Sequence, residues 1–479
     1  MYVLDKFGEV CDAVKKKIAP SLKLKSAVET RAEQIRAAVE RECVKANLEA
    51  EVRLDGSVAK DTWIRGYADV DIFMRVSPQL TKTQLRDVCL PIAREALLPH
   101  TIVERYAEHP YIESTVELGK KSELRVNVVP CYKVEKGKWL SATDRSPYHT
   151  EYINQHLTKE QRDEVRLLKA FMRGIGSYGA DIKTGGFSGM LCETLIVSRR
   201  DFHRVVQDFM GWHEDEVIDI ENYYEGRRAE AHRVFREPLI VIDPVDKGRN
   251  LAAAVRENQL CNFVAACRQL YWKPTTALFA QPKVKALTPA NYRKLIRTRG
   301  STIICLVVGR IDAVVDILWS QLYRTQRALV NLLENNDFKV VRSWAWSDEK
   351  SLNIILFELE QGCLPRPKRH DGPSVYGFDE SASFLSKHAP NPNTISGPWI
   401  ENGRWVVEKR RSVVSANALL KSALRSGGND VGVASLLAES FRKRLQILEN
   451  ERIGRLIVSN TEFAKAMRTY LSGRPAWFA

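Results

Sequence analysis

The chain of 479 residues contains no apolar run approaching the roughly 18 residues needed to span a bilayer, which argues against a helical membrane protein. Its first residues, Met1 to Glu9, lack the basic stretch followed by an apolar one that marks a secretory leader, so a cytoplasmic chain is expected. Cys-x-x-Cys pairs are also missing. The nine cysteines (11, 43, 89, 131, 192, 261, 267, 305, 363) are scattered and odd in number, and several sit in apolar stretches such as Ile303 to Leu306. Reduced core thiols are the simplest expectation, leaving no support for a disulfide framework or a zinc site. No internal repeat is evident, which argues against an array of small units.

What the chain has is positive charge. Lysine and arginine number 73 against 59 acidic residues, a net charge of +14. An excess of this size suggests a polyanionic partner, because basic groups that meet phosphates release condensed counterions. A charged, solvated surface is the plain alternative, and charge does not say which nucleic acid is bound. The 44% hydrophobic and 28% charged content is ordinary for a soluble protein, and the length suits about three domains.

Residues 1–50 have helical apolar spacing. From about 51 to 134 the pattern turns to short β-like runs, at Val70 to Val76, Tyr111 to Leu118 and Leu124 to Pro130, around a helical stretch near 81–97. Residues 158–270 read as mostly helical, with Val165, Leu168, Phe171, Met172 and Ile175 on one stripe and glycines 174, 176 and 179 ending that helix. Strand-like runs return after 300, with a helix around 313–335. The segment 363–398, carrying six prolines, is expected to be an irregular connection or insertion. The boundaries that follow are 1–150, 151–275 and 276–479.

The strongest local signal runs from Gly56-Ser57 through Lys60, Thr62-Trp63 and Gly66 to Asp69-Val70-Asp71. A Gly-Ser pair opening a helix offers backbone N–H groups and a hydroxyl to phosphates. Asp69 and Asp71, two apart on a strand, point to one face and can share a divalent metal, as phosphoryl transfer requires. A bare Asp-x-Asp is common and could face water; the Gly-Ser pair, the Thr-Trp-x-x-Gly and the alternation with Val70 and Ile72 make it specific.

This motif is similar to that of the DNA polymerase β-like nucleotidyltransferases, and the whole chain resembles the class I, archaeal-type CCA-adding enzymes. The likeness continues through Val128 to Tyr132, Ser141 to Tyr152, Arg166 to Lys169, Gly185 to Glu193, Val241 to Asn250, Arg342 to Trp346 and Gly397 to Trp405. It implies an α/β plus α+β multidomain protein: a polymerase β-like catalytic head, a mainly helical central domain completing the nucleotide pocket, and an α+β C-terminal RNA-binding region. It implies a template-independent transferase that builds the 3′ end of tRNA from CTP and ATP with Mg²⁺, gripping the acceptor and T arms, with a homodimer left open. Asp69 and Asp71 would hold the metal. Gly56, Ser57, Lys60, Ser146, His149, Lys169 and Tyr178 would hold the nucleotide, and Arg249 would help read its base. Lys60 stands where the family often has Arg, and Ser146 where Thr is expected; both remain donors. Outside that context these residues have ordinary explanations: Lys169 a solvated helix face, Tyr178 a packing residue, His149 a loop hydrogen-bonder, and Arg249 a surface residue at a helix start after Asp243-Pro244.

One departure matters more. The family pattern has a third catalytic, metal-binding acid at the position of Asn127. An amide matches a carboxylate in shape but has no charge and cannot act as a base. On the same strand Arg125 and Val129 share its face, and Glu123 lies roughly 13 Å away at ~3.3 Å per residue. The expectation is retained binding and depressed turnover, from an isolated Asp/Asn change rather than general decay.

Basic clusters at Arg293 to Arg299, Lys409 to Arg411 and Arg442 to Arg444, with tryptophans 344, 346, 399 and 405, suit RNA recognised through backbone and shape. The alternatives are another polymerase β-like enzyme, such as a poly(A) polymerase or oligoadenylate synthetase, and a non-catalytic tRNA-binding protein, favoured only by Asn127.

Overall fold

Alternation along residues 69–76 decides how the first sheet is layered, since successive side chains of a strand face opposite ways. The computed structural model describes residues 2–106, 110–119, 122–213, 216–475 and 477–478. It divides into two units, Met1–Lys283 with Arg474–Ala479, and Val284–Gly473.

The first unit opens with helices α1 (Tyr2–Ile18) and α2 (Leu22–Lys45), the latter capped by the Ser21 hydroxyl. Then come strand β1 (Ala50–Asp55), the single turn α3 (Gly56–Ala59) and β2 (Asp69–Val76). Helix α4 (Lys82–Gln84) passes through a wider turn at Leu85–Cys89 into α5 (Leu90–Ala96). Strands β3 (Thr101–Tyr106), β4 (Pro110–Gly119) and β5 (Ser122–Tyr132) complete a sheet of order β1-β2-β5-β4-β3. Strands β2 and β5 run parallel; the other pairs are antiparallel. Val70, Ile72 and Met74 of β2, with Val126 and Val128 of β5, are buried with Val28, Ala32, Ile35 and Val39 of α2. Each such buried valine, isoleucine or methionine side chain contributes about 1.5–3 kcal/mol. Asp69 and Asp71 therefore face away from that core.

Helices α6 (Ser146–His156), α7 (Lys159–Gly174), α8 (Gly189–Arg199), α9 (Phe202–Met210), α10 (Arg228–Val234) and α11 (Glu257–Trp272) form most of the remainder. The stripe Val165, Leu168, Phe171, Met172 and Ile175 is buried with Phe187, Phe202 and Phe263. Reciprocal capping by Thr158 and Gln161 starts α7. At its end Gly174 lets another segment approach, because a Cβ there would lie 2.1 Å from the Leu278 carbonyl oxygen. Trp477 Nε1 donates to Asn262 Oδ1 at 2.8 Å, and Asn262 Nδ2 in turn donates to the Ile175 carbonyl and the Ser177 hydroxyl.

The mostly helical expectation for 158–270 misses a small sheet, β6 (Val217–Ile218), β7 (Ile240–Asp243) and β8 (Asp246–Asn250). Arg249 lies on β8, not at a helix start. The Asn250 side chain closes this hairpin by accepting from the Val241 amide and donating to the Leu239 carbonyl, a tertiary arrangement that local patterning does not reveal.

In the second unit, α12 (Pro289–Arg299) precedes β9 (Thr302–Val308), α13 (Val315–Asn335), β10 (Val340–Ser347) and β11 (Asn353–Leu359). Next are β12 (Pro367–Ser374), α14 (Phe378–His388), β13 (Thr394–Glu401), β14 (Arg404–Arg410), α15 (Ala416–Leu424) and α16 (Ser435–Arg444). Strand β15 (Gln446–Glu449) and helices α17 (Gly454–Ser459) and α18 (Thr461–Ser472) finish it. The sheet β10-β11-β9-β15 is covered on both faces, so β9 and β11 are mostly apolar. Glu358 is the buried charge on them: Arg299, Arg342 and Ser301 all donate to its carboxylate.

Residues 363–398 are not an irregular connection. They supply β12, α14 and β13, the two strands flanking β14 in a separate sheet. The prolines are tolerated because both strands are edges: Pro367 begins β12, and Pro373 and Pro398 fall where the pairing register shifts. Of the RNA-binding candidates, Trp344 stacks on Tyr470 and Trp346 meets Phe463 edge-on, so both are packing residues.

Candidate active site

The turn between β1 and β2 sets the geometry. Gly56 has φ +71°, and a Cβ on it would come 2.1 Å from Asp71 Oδ2. Only glycine allows the chain to turn this closely over the carboxylate. Ser57 follows as the second residue of α3, and Asp69 and Asp71 lie on the open face of β2 as the spacing predicts.

Strand β5 presents a partner opposite each aspartate. Asp69 is in register with Arg125, whose Nε and Nη2 donate to Oδ1 at 2.8 Å and Oδ2 at 2.5 Å. Asp71 is in register with Asn127, whose Nδ2 donates to Oδ1 at 2.8 Å. Asn127 Oδ1 is buried and has no hydrogen-bond partner. Burial pushes the Asp71 carboxyl up to about 6; Asp69 adds to the rise and the Asn127 hydrogen bond opposes it. Across β4, Glu113 is opposite Asn127 and is held by Arg105. Among the described residues no group of three His, Cys, Asp or Glu side chains is arranged to hold a metal ion.

A cleft of about 400 Å³ opens over this face, lined by Ser57, Asp69, Arg125, Lys169, Arg173 and Tyr178 among others. Helix α7 is tied to the 61–63 loop by Arg166, which donates to the carbonyls of Asp61 and Trp63. One turn on, Lys169 Nζ reaches Glu193 Oε1 at 2.8 Å while Lys60 Nζ reaches Oε2 at 2.5 Å, and Thr62 also donates to the carboxylate. Burial alone would raise the Glu193 pKa, but Lys169 and Lys60 outweigh it and hold it down at about 2. Neither lysine is the solvated residue that helical patterning would allow. Tyr178 pairs with Phe187 and lies beside Arg173, whose guanidinium stacks 3.5 Å from the Tyr67 ring.

The remaining candidates gather elsewhere in the same unit. His149 Nε2 lies 2.9 Å from Asp243 Oδ2, and Arg249 Nη1 donates to the same oxygen at 3.0 Å. Asp243 is buried, which raises its pKa, yet His149, the Val245 amide and Arg249 bring it below the usual value. Ser146 starts the helix that carries His149 and accepts from Thr150 at its carbonyl. His149, Arg249 and Ser146 do not line the cleft that contains Asp69.

Glu193 and Asp243 are polar residues that sequence inspection gave no role, and Arg125, although placed on the face of Asn127, was given none either. The first two lie inside quoted motifs, and a carboxylate embedded in an apolar helix or strand was the available signal. For Arg125 the signal was its i−2 spacing from Asn127.

A family described as nucleotidyltransferase domain matches residues 36–152, the second domain of tRNA nucleotidyltransferase matches 163–280, and the C-terminal domain of the CCA-adding enzyme matches 299–450. A CCA-adding enzyme of Methanosarcina acetivorans is 33% identical over 450 residues, 93% of this chain and 94% of its own. One of Methanopyrus kandleri is 33% identical over 483 residues, 98% and 97% of the two chains. A solved cytoplasmic RNA terminal U-transferase is 13% identical, with a TM-score of 0.43 over 58% of this chain and 99% of that one.

Proposed function

Since the chain belongs to the CCA-adding enzyme family, we propose that it adds or repairs the 3′-terminal CCA of tRNA from CTP and ATP, in the cytoplasm. The observation that carries the chemistry is the pair Asp69 and Asp71, side by side beneath the Gly56-Ser57 turn. In the reaction the terminal 3′-hydroxyl of the RNA attacks the α-phosphate, the bond to the β-phosphate breaks, and pyrophosphate leaves. Residues 1–150 would act as the head, 151–275 would complete the nucleotide pocket, and 276–479 would hold the acceptor and T arms.

The donor set fits one divalent ion. The missing Cβ of Gly56 leaves a cradle around Asp71 Oδ2, and Asn127 Oδ1 is a buried neutral oxygen without a hydrogen-bond partner. Asp69 and Asp71 would hold magnesium there. When bound, such an ion neutralises phosphate charge and aligns the attacking and leaving oxygens. Ser57, Lys169 and Tyr178 would hold the triphosphate in the cleft, with Lys60 behind it on the same Glu193 carboxylate as Lys169. His149 and Arg249, joined through Asp243, would meet the ribose and base, with Ser146 beside the ribose. Asn127 cannot take up the proton of the 3′-hydroxyl or hold a second cation by charge, so turnover is depressed while nucleotide and tRNA binding persist.

The test uses radiolabelled CTP and ATP on tRNA lacking its 3′ end. Slow addition of CMP then AMP, ending at completed CCA, is expected. Asn127→Asp should raise the rate about 10²-fold, the scale of restoring one group that stabilises developing charge. Untemplated runs of AMP without CMP would indicate a poly(A) polymerase instead. Tight tRNA binding with no incorporation even after reversion would indicate a non-catalytic tRNA-binding protein, the alternative favoured by the amide at 127.

A further inference from the structure

Both oxygens of Asp69 are occupied by the chain itself. The Arg125 guanidinium meets them as a bidentate fork, the geometry in which arginine binds carboxylate best. Register enforces the pairing: directly opposed residues of neighbouring strands have Cβ atoms about 5 Å apart, so the two side chains meet on the open face of the sheet. Asp71 is treated differently. The Asn127 amide uses only Oδ1, leaving Oδ2 over the Gly56 cradle. Of the two carboxylates, one is neutralised by a cation and the other is not.

Arg125 also has somewhere else to go. Its side chain is 54% exposed and lines the same cleft as Ser57, Lys169 and Tyr178, where the triphosphate is placed above. Resting on that placement, we propose that Arg125 is an exchangeable counter-cation: it holds Asp69 while the cleft is empty and moves to the phosphates when a divalent ion takes the carboxylate. The swap conserves charge at each stage, because Asp69 is never left without a cation and the phosphates gain one. It also couples the two ligands. A divalent ion arriving alone must displace Arg125 without providing it a new partner, so its affinity is low; arriving with a triphosphate, it provides one. Arg125 is on this account a positioning residue that sets the order of loading.

A half-exposed ion pair is modest in strength even in bidentate geometry. A divalent ion must displace that fork to reach the same oxygens, so about a tenfold effect is expected. The experiment measures free Mn²⁺ by electron paramagnetic resonance while titrating the full chain, without RNA, in the presence and absence of inorganic triphosphate. Arg125→Gln should bind Mn²⁺ alone about tenfold more tightly than the parent and lose most of the tightening that triphosphate produces. Arg125→Lys, with a point charge but no fork, should fall between. Thermal melts establish that the variants are folded, which the exposure of Arg125 favours. If Arg125→Gln binds Mn²⁺ no more tightly, and Asp69→Asn still weakens binding in either background, the exchange is wrong while the metal role of Asp69 stands. If Asp69→Asn leaves Mn²⁺ binding unchanged, the metal role itself is wrong and the exchange falls with it.

Discussion

Replacing Glu193 by Gln would leave two lysines in the interior without their anion. Glu193 and Lys169 are buried to within 2% of full coverage, Lys60 to 7%, and one carboxylate serves both ammonium groups. Removing one partner of a buried pair costs about 3–5 kcal/mol, because the remaining charge has lost its compensation but not its burial. In a unit of this size 1 kcal/mol moves the melting temperature by about 2 °C, so a fall of roughly 6–10 °C is expected. Differential scanning calorimetry reads it directly. A second measurement separates function from stability: inorganic triphosphate should raise the melting temperature of Glu193→Gln more than that of the parent, because it supplies the missing negative charge to the same lysines. A variant that melts within 2 °C of the parent would refute the energetic argument. A destabilised variant gaining no more from triphosphate than the parent would place the lysines outside the phosphate site.

Gly56→Ala should destabilise the protein by about 1–3 kcal/mol, since φ is +71° and the new Cβ would lie 2.1 Å from Asp71 Oδ2; calorimetry and nucleotide incorporation should fall together. Glu358 has its pKa held at about 2, against burial, by hydrogen bonds from Arg299, Ser301 and Arg342. With a folded pKa below the ordinary 4.5, its stabilisation is complete above that pH and is lost as pH falls toward 2; urea titrations between pH 5 and about 2.5 should show a smaller loss in Glu358→Gln than in the parent. With a net charge of +14, tRNA affinity should fall steeply with salt, and a log–log slope shallower than about −2 would mean that this charge is not directed at phosphates.

The head was legible because one strand carries two independent messages. Val70, Ile72 and Met74 specify the buried face, and Asp69 and Asp71 are then left on the other. The α7 stripe was legible for the same reason, its apolar residues recurring at helical spacing. What could not be read were pairings set by register between distant strands. Nothing local to Arg125 says that residue 69 lies opposite it, and nothing near Asp243 says that His149, more than ninety residues earlier, will bind it. Prolines in 363–398 suggested irregularity because proline is unfavourable in central strands; only the sheet order shows that these strands are edges.

Trp477 has a consequence for how the protein can be handled. Its indole fastens Asn262, and Asn262 braces the Ile175–Ser177 bend that delivers Tyr178 to the cleft. A deletion from Arg474 onward, or a bulky tag inserted there, would thus be felt about three hundred residues upstream in sequence, at the Tyr178 ring that lines the cleft. An affinity handle beside Trp477 would disturb the cleft wall at Tyr178, whereas one placed ahead of α1 would leave this brace untouched.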